Sequence, residues 1–153
     1  MIKLRIYIDT SVVGGCLDDE FKEYSVRLFS EFISGEKTPL VSDLLLLELE
    51  EAPEEIKGAL ERVPSSNIEY ISLDEESLTL ANAYIEEGAI AKRSISDARH
   101  IALATVERAD ILVSWNFRDI VNMGRIRLIN SVNIKLGYPL LEIRSPMEVF
   151  YEG

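Results

Sequence analysis

The chain has 153 residues, the length of one ordinary domain, and its composition, 47% hydrophobic and 28% charged, is that of a globular protein. A chain of this size buries roughly 68–70% of its unfolded surface. One cysteine with one histidine excludes an internal disulfide and an all-protein Cys/His zinc site, and the formal net charge of −11 argues against a broad duplex-binding surface.

Residues 2–8 (Ile-Lys-Leu-Arg-Ile-Tyr-Ile) are β-rich and alternate, which predicts a strand. Asp9, Thr10 and Ser11 follow at once, then Gly14 and Gly15, the chemistry of a strand-to-helix turn. Apolar or aromatic residues at Phe21, Tyr24, Leu28, Phe29, Phe32 and Ile33 have helical spacing, and Gly35 closes that helix. Leu40 and Val41 form a short strand, and Ser42 and Asp43 cap a helix that runs through Glu51. Pro53 starts the next helix, to about Val63. Residues 68–73 predict a strand, and Ser72 or Asp74 caps a helix over 75–87 that Gly88 ends. Ser96 and Asp97 open a helix to about Arg108, and 111–114 is a strand of the buried type. Residues 117–123 read as a short helix, and 127–129 and 141–143 as late strands. Strands separated by helices predict an α/β fold, a three-layer α/β/α sandwich with a central parallel sheet, in a single domain over 1–153. The longest purely apolar run, residues 44–47, is too short to span a bilayer. The first residues mix charged with apolar side chains and lack the apolar core of a signal peptide. A cytoplasmic location with no membrane partner is therefore expected.

In parallel α/β sheets the functional crevice lies beyond the carboxyl ends of the strands. Polar residues just after strands are therefore the first candidates. Asp9 ends the first strand; it is also where a helix N-cap would stand, although Thr10 and Ser11 are equally able to cap. Glu48 lies in Leu44-Leu45-Leu46-Leu47-Glu48-Leu49. A helix this apolar is expected to be mostly buried, and a carboxylate on it needs a partner. Asp97 opens the helix Ser96-Asp97-Ala98-Arg99-His100-Ile101-Ala102, where a first-turn acid also complements the helix dipole. Asn116 and Asp119 follow the strand at 111–114. Taken singly, each has an ordinary structural reading. Jointly, they would crowd one crevice. Two unit charges about 4 Å apart repel by roughly 4 kcal/mol at an effective dielectric near 20, so such a gathering calls for a cation. Oxygen-only ligands favour Mg²⁺ or Mn²⁺ over zinc or copper. His100, a lone histidine in the second turn of a helix, reads as structural rather than catalytic.

The charge is unevenly spread. Residues 1–91 carry 20 acids against 7 bases, a balance of −13, and residues 92–153 carry 7 acids against 9 bases, a balance of +2. Lys92, Arg93, Arg99, Arg108, Arg118, Arg125 and Arg127 form either ordinary solvated surface or a basic rim for a phosphate backbone.

Four pieces in order resemble the PIN-domain family, in particular the VapC-like toxin ribonucleases. They are Ile8-Asp9-Thr10-Ser11-Val12, Glu48 in its leucine-rich helix, Asp97-Ala98-Arg99-His100-Ile101-Ala102, and the run from Ile111 to Ile120. The resemblance spans nearly the whole chain. It implies a PIN-like parallel sheet flanked by helices and a Mg²⁺- or Mn²⁺-dependent endoribonuclease acting on single-stranded or structured RNA. It implies Asp9, Glu48 and Asp97 as catalytic, metal-binding acids, with Asp119 or Asn116 as the fourth ligand. Many relatives carry an acid where Asn116 stands. Ser114 sits where a hydroxyl is common, and Thr10 and Ser11 support the first acid. Arg99 and Arg118 are the expected RNA contacts. An antitoxin protein and a second copy of the chain are the expected protein partners. An inactive or metal-binding PIN domain acting as an interaction module is the alternative. A haloacid-dehalogenase-like phosphatase fits less well, because Ser11 stands where its second Asp would be.

Overall fold

The computed structural model describes residues 3–151. In chain order the elements are β1 (Arg5–Ile8), α1 (Thr10–Gly15), α2 (Lys22–Ser34), β2 (Thr38–Ser42), α3 (Asp43–Glu50), α4 (Glu54–Glu61), β3 (Glu69–Ile71), α5 (Glu75–Glu86), α6 (Ile95–Val106), β4 (Ile111–Val113), α7 (Met123–Lys135), β5 (Ile143–Arg144) and α8 (Pro146–Phe150). The five strands form one sheet in the order β3-β2-β1-β4-β5, and every pairing is parallel.

Strand side chains alternate between faces, and this divides the core in two. Tyr7, Leu40, Leu112 and Ile143 face one way and pack with Tyr84, Ile101, Leu103 and Ile129 of α5, α6 and α7. Ile6, Ile8, Val41, Ile111 and Val113 face the other way and pack with Val12, Leu28, Phe32, Leu45 and Val149. The expected three-layer α/β/α arrangement is therefore present. The chain winds from β1 to β2 to β3 on one side, then returns to lay β4 and β5 on the other. The order reverses between β1 and β4, so the crevice at a topological switch point opens at their carboxyl ends.

Local capping chemistry sets several boundaries. Ser42 Oγ accepts from Leu45 N at 3.0 Å and starts α3. Asp74 and Ser77 form a capping box that starts α5. Gly35 ends α2 with φ of 84°, a left-handed conformation that glycine adopts without a Cβ penalty.

Three expectations are corrected. Residues 127–129 are not a strand; they lie inside α7, where Ile126, Ile129 and Val132 recur at helical spacing beneath an Asn122 cap. Residues 117–123 are turns rather than a helix, because Ile120 N and Val121 N both donate to the Asn116 carbonyl. The leucine-rich α3 is not mostly buried: Leu45 and Leu49 are, whereas Leu46 and Leu47 are 41% and 61% exposed. Residue 2, placed in the first strand by its sequence, lies outside the described residues. Among the described residues no helix is long and apolar enough to cross a membrane.

Candidate active site

Asp9 follows β1 and is buried, with 4% of its surface exposed. Its Oδ1 accepts from Val12 N at 3.2 Å and from Ser11 Oγ at 2.6 Å, so Asp9 is itself the N-cap of α1. Thr10 and Ser11 do not compete for that role. Thr10 Oγ1 donates to Glu48 Oε1, and Ser11 Oγ accepts from Trp115 N at 2.9 Å, which ties the β4 end to the β1 end. The buried Ser114 Oγ lies 3.4 Å from Ser11 Oγ and accepts from Asn116 N at 2.9 Å. Burial pushes the Asp9 carboxyl above its ordinary pKa of 3.8, against the opposing pull of His100 and of its hydrogen bonds from Ser11 and Val12.

Glu48 reaches over from α3. Ser96 Oγ donates to its Oε2, and His100 Nε2 stands 2.7 Å from Oε1, which Thr10 also engages. Burial alone would raise the Glu48 pKa. Hydrogen bonds from His100, Ser96 and Thr10, with the charge of His100, outweigh it and bring the carboxyl down to about 2. His100 is 2% exposed, and its Nδ1 lies 2.6 Å from Tyr7 Oη, which in turn lies 2.8 Å from Ser42 Oγ. Burial raises the Tyr7 pKa, so the phenol stays protonated. Because Ser42 Oγ already accepts from Leu45 N, its hydroxyl proton is free for Tyr7. The two ring nitrogens of His100 thus bridge Tyr7 and Glu48, and every polar atom of this relay has a partner.

Asp97 stands in the first turn of α6, and its Oδ2 accepts from Asn116 Nδ2 at 3.2 Å. Its pKa is raised to about 6, first by burial and then by the negative charge of Asp9; Asp119 and Glu48 add to the rise while His100 opposes it. Asn116 spends its other end locally: its Oδ1 accepts from Asp119 N at 3.0 Å. The amide thus shows Asp97 a donor, not a carbonyl. Asp119 sits at the rim, with Arg93 at 3.8 Å and Arg118 at 4.0 Å.

A pocket of about 370 Å³ is lined by Asp9, Glu48, Asp97, Asn116, Thr10, Ser11, Ser96 and His100. Six of the residues singled out by sequence converge there. Ser114, Asp119, Arg99 and Arg118 do not line it. The Arg118 side chain is 76% exposed. Among the described residues Arg99 makes no ion pair, and its buried Nε has no hydrogen-bond partner. Ser96, His100 and Tyr7 were not read as site residues from the sequence. His100 stands three residues after Asp97, a spacing that puts both on one helix face, and that signal was available.

Among the described residues no three His, Cys, Asp or Glu side chains are gathered tightly enough, as they stand, to enclose a metal ion. The donor chemistry nonetheless fits a hard dication: the acids offer oxygen only. The mutual effect of Asp9, Asp119 and Glu48 on Asp97 is a field that such an ion would neutralise.

No protein-family model and no curated protein matches the sequence. Solved structures do match the fold. The structure of VapBC2 from Rickettsia felis bound to a promoter DNA fragment matches with a TM-score of 0.56 at 16% identity, over 93% of this chain and 98% of that one. DNA-bound VapBC from Salmonella typhimurium matches with a TM-score of 0.57 at 19% identity, over 94% and 98%. VapC20 from Mycobacterium tuberculosis, a sarcin-ricin-loop-cleaving toxin, matches with a TM-score of 0.51 at 15% identity, over 73% and 92%. This chain has their fold, as the PIN-like resemblance implied.

Proposed function

We propose that the chain is a Mg²⁺- or Mn²⁺-dependent endoribonuclease acting on single-stranded or structured RNA, and the toxin of a toxin–antitoxin pair. The observation that carries this reading is the convergence of Asp9, Glu48 and Asp97 in one pocket at the sheet's switch point, held by hydroxyls, amides and the His100 imidazole rather than by arginine or lysine. Their negative charge is thereby left available for a cation. Two neighbouring structures, by their own descriptions a sarcin-ricin-loop-cleaving toxin and a toxin–antitoxin complex from Klebsiella pneumoniae, support the same reading.

Asp9 and Asp97 are the residues that would hold the ion, since Asp9 is the acid that acts most strongly on Asp97. Asp119 is the better fourth ligand, because the Asn116 carbonyl is engaged by Asp119 N. A bound dication supplies a water of lowered pKa and neutralises charge on the phosphate. Glu48, kept ionised by three donors, would add a third carboxylate beside the ion. Asn116 steadies Asp97 through Nδ2, and Ser11 steadies Asp9. Arg93 and Arg118 stand beside Asp119 at the mouth, where a phosphate would approach.

The test is cleavage of end-labelled single-stranded RNA by the purified chain with Mn²⁺, Mg²⁺ or EDTA. Metal-dependent cleavage that is lost in Asp97→Asn is expected. Equal, negligible cleavage by folded wild type and Asp97→Asn with either metal would overturn the reading.

One observation favours a second reading, an inactive or metal-binding module that docks a protein. A groove of about 500 Å³ lies between α3, α4 and the edge strand β3, walled by Leu46, Leu49, Leu60, Val63, Ile68 and Tyr70. Exposed apolar surface of this kind marks protein contacts. An antitoxin or a second copy of the chain is the partner it would take, and a toxin needs such a surface as well.

A further inference from the structure

A second cavity, of about 360 Å³, abuts the acidic pocket and shares Ser11 and Asn116 with it. Its wall is aromatic: Phe21 stacks on Trp115 with ring centroids 4.4 Å apart and planes 19° from parallel. Trp115 is fixed from behind. Its Nε1 donates to Ser25 Oγ at 2.9 Å, and that hydroxyl donates to the Val12 carbonyl at 2.9 Å. Gly15 lets the ring approach α1, since a Cβ there would fall 2.7 Å from Trp115 Nε1 and 2.5 Å from Ser25 Oγ. Asp18 stands at the open side. It is exposed, and among the described residues its carboxylate accepts only from Glu20 N, at 2.8 Å to Oδ1, and makes no ion pair. The cavity therefore offers a rigid apolar wall and an acceptor-only rim, one step from the acids.

We infer that this cavity is a subsite for one unpaired nucleobase, and that it selects guanine. The inference rests on the ribonuclease reading for its biological meaning, though not for its test. Unpaired bases are held by stacking on aromatic side chains and by hydrogen bonds to their Watson–Crick edge. A carboxylate repels phosphate, so Asp18 disfavours the backbone there and favours a donor edge. Guanine alone among the four bases presents two adjacent donors, N1–H and the exocyclic amine, which match the two oxygens of a carboxylate. Adenine and cytosine each present an amine beside a ring-nitrogen acceptor, and uracil presents one N–H between two carbonyls. The shared Ser11 and Asn116 place the nucleotide so held next to the phosphodiester at Asp9 and Asp97.

Trp115 is the only tryptophan in the chain, so its fluorescence reads this cavity directly. The experiment titrates guanosine, adenosine, cytidine and uridine into the full chain in EDTA, with Asp18→Asn as the variant and inner-filter correction. Nucleosides are used because they carry no phosphate for the acids to repel. Saturable quenching by guanosine is expected, with affinity about tenfold or more above the other three, in line with the discrimination a bidentate contact gives. Asp18→Asn is expected to bring the four affinities within about twofold. No saturable quenching, equal quenching by all four nucleosides, or selectivity unchanged in Asp18→Asn would each overturn the inference. A parallel cleavage assay on uridine heptamers carrying one central guanosine separates the two readings. Cleavage indifferent to the guanosine sinks the subsite and leaves the nuclease. Guanosine-selective, Asp18-dependent quenching in a chain that cleaves no RNA supports the subsite and sinks the nuclease.

Discussion

Asp97→Asn should flatten the pH dependence of the metal-free fold. The Asp97 carboxyl rises from 3.8 to about 6 on folding, mainly through burial and the charge of Asp9. The folded chain then holds this proton more tightly than the unfolded chain, so between about pH 4 and pH 6 it carries more protons. Raising the pH through that window therefore costs stability, and the contribution is fully present only below about pH 4. At full burial the rise corresponds to about 3 kcal/mol; Asp97 is only partly buried, so about 1.5–2 kcal/mol is the discounted expectation. Neutralisation also removes a first-turn acid from α6, worth about 0.3–1 kcal/mol in the opposite sense. The variant should thus be about 1 kcal/mol more stable than wild type at pH 7, or about 2–4 °C in Tm. The hydrogen bond from Asn116 survives, since an amide oxygen accepts as a carboxylate does. Glu48 works the other way: held at about 2, it contributes stability that is lost only as the pH falls from about 4.5 to 2. The assay is urea unfolding in EDTA at half-unit steps from pH 4 to 7. Parallel wild-type and variant curves, or a variant less stable at pH 7, would show that Asp97 acts as a helix-end acid and not as a crowded one.

Mn²⁺ at one hundred times its Kd should add about 2.7 kcal/mol to wild type and far less to Asp9→Asn, read by thermal melts with and without EDTA. Asp119→Ala should weaken Mn²⁺ binding more than Asn116→Ala in calorimetric titration, because the Asn116 carbonyl is already engaged; the reverse order would assign the fourth position to Asn116. His100→Leu should cost about 1–3 kcal/mol in urea unfolding, since it leaves the buried Tyr7 Oη with Ser42 as its one partner and removes a donor from Glu48; a loss under 1 kcal/mol would mean that water replaces the ring. Gly15→Ala should cost about 1–3 kcal/mol and red-shift tryptophan emission, because the new methyl displaces Trp115 from Ser25; unchanged emission would show that the α1 backbone yields instead.

Much of this was legible where the chemistry is local. Ser42 and Asp74 announce helix starts because their hydroxyl or carboxylate bonds an amide three residues on. Asp9, Glu48 and Asp97 stood out because acids after strands, or among leucines, lack an obvious solvated role. Ser145 and Glu148 form an equally local capping box, and residues 146–150 could have been assigned as α8 from it. The illegible part is what tertiary structure brings together. Ser96 and His100 meet Glu48 across 48 and 52 residues, through a crossing of α3 and α6 that no periodicity encodes. The stretch 127–129 misled because three residues fit a strand as well as a helix; only the longer spacing to Val132 decides. Asp9 misled differently: Thr10 and Ser11 had the right chemistry for the cap, but each is drawn into a longer-range hydrogen bond.

The double duty of Asp9 bears on how the site keeps its charge. A buried carboxylate is costly unless hydrogen-bonded, and an arginine would satisfy it while cancelling its field. Here the Asp9 partners are a serine hydroxyl and a backbone amide, the Asp97 partner is an asparagine amide, and the Glu48 partners are two hydroxyls and an imidazole. These donors satisfy the lone pairs with no arginine or lysine among them. The guanidinium groups of Arg93 and Arg118 pair with Asp119, which does not line the pocket, and with 60% and 76% of their side chains exposed the pairing is weak. A site meant only to hold the fold together would gain from apolar residues in place of these acids, since buried carboxylates cost desolvation. The acids are instead solvated by groups that a dication need not displace, and Asp97, whose pKa is raised to about 6, would release its proton more readily beside a cation.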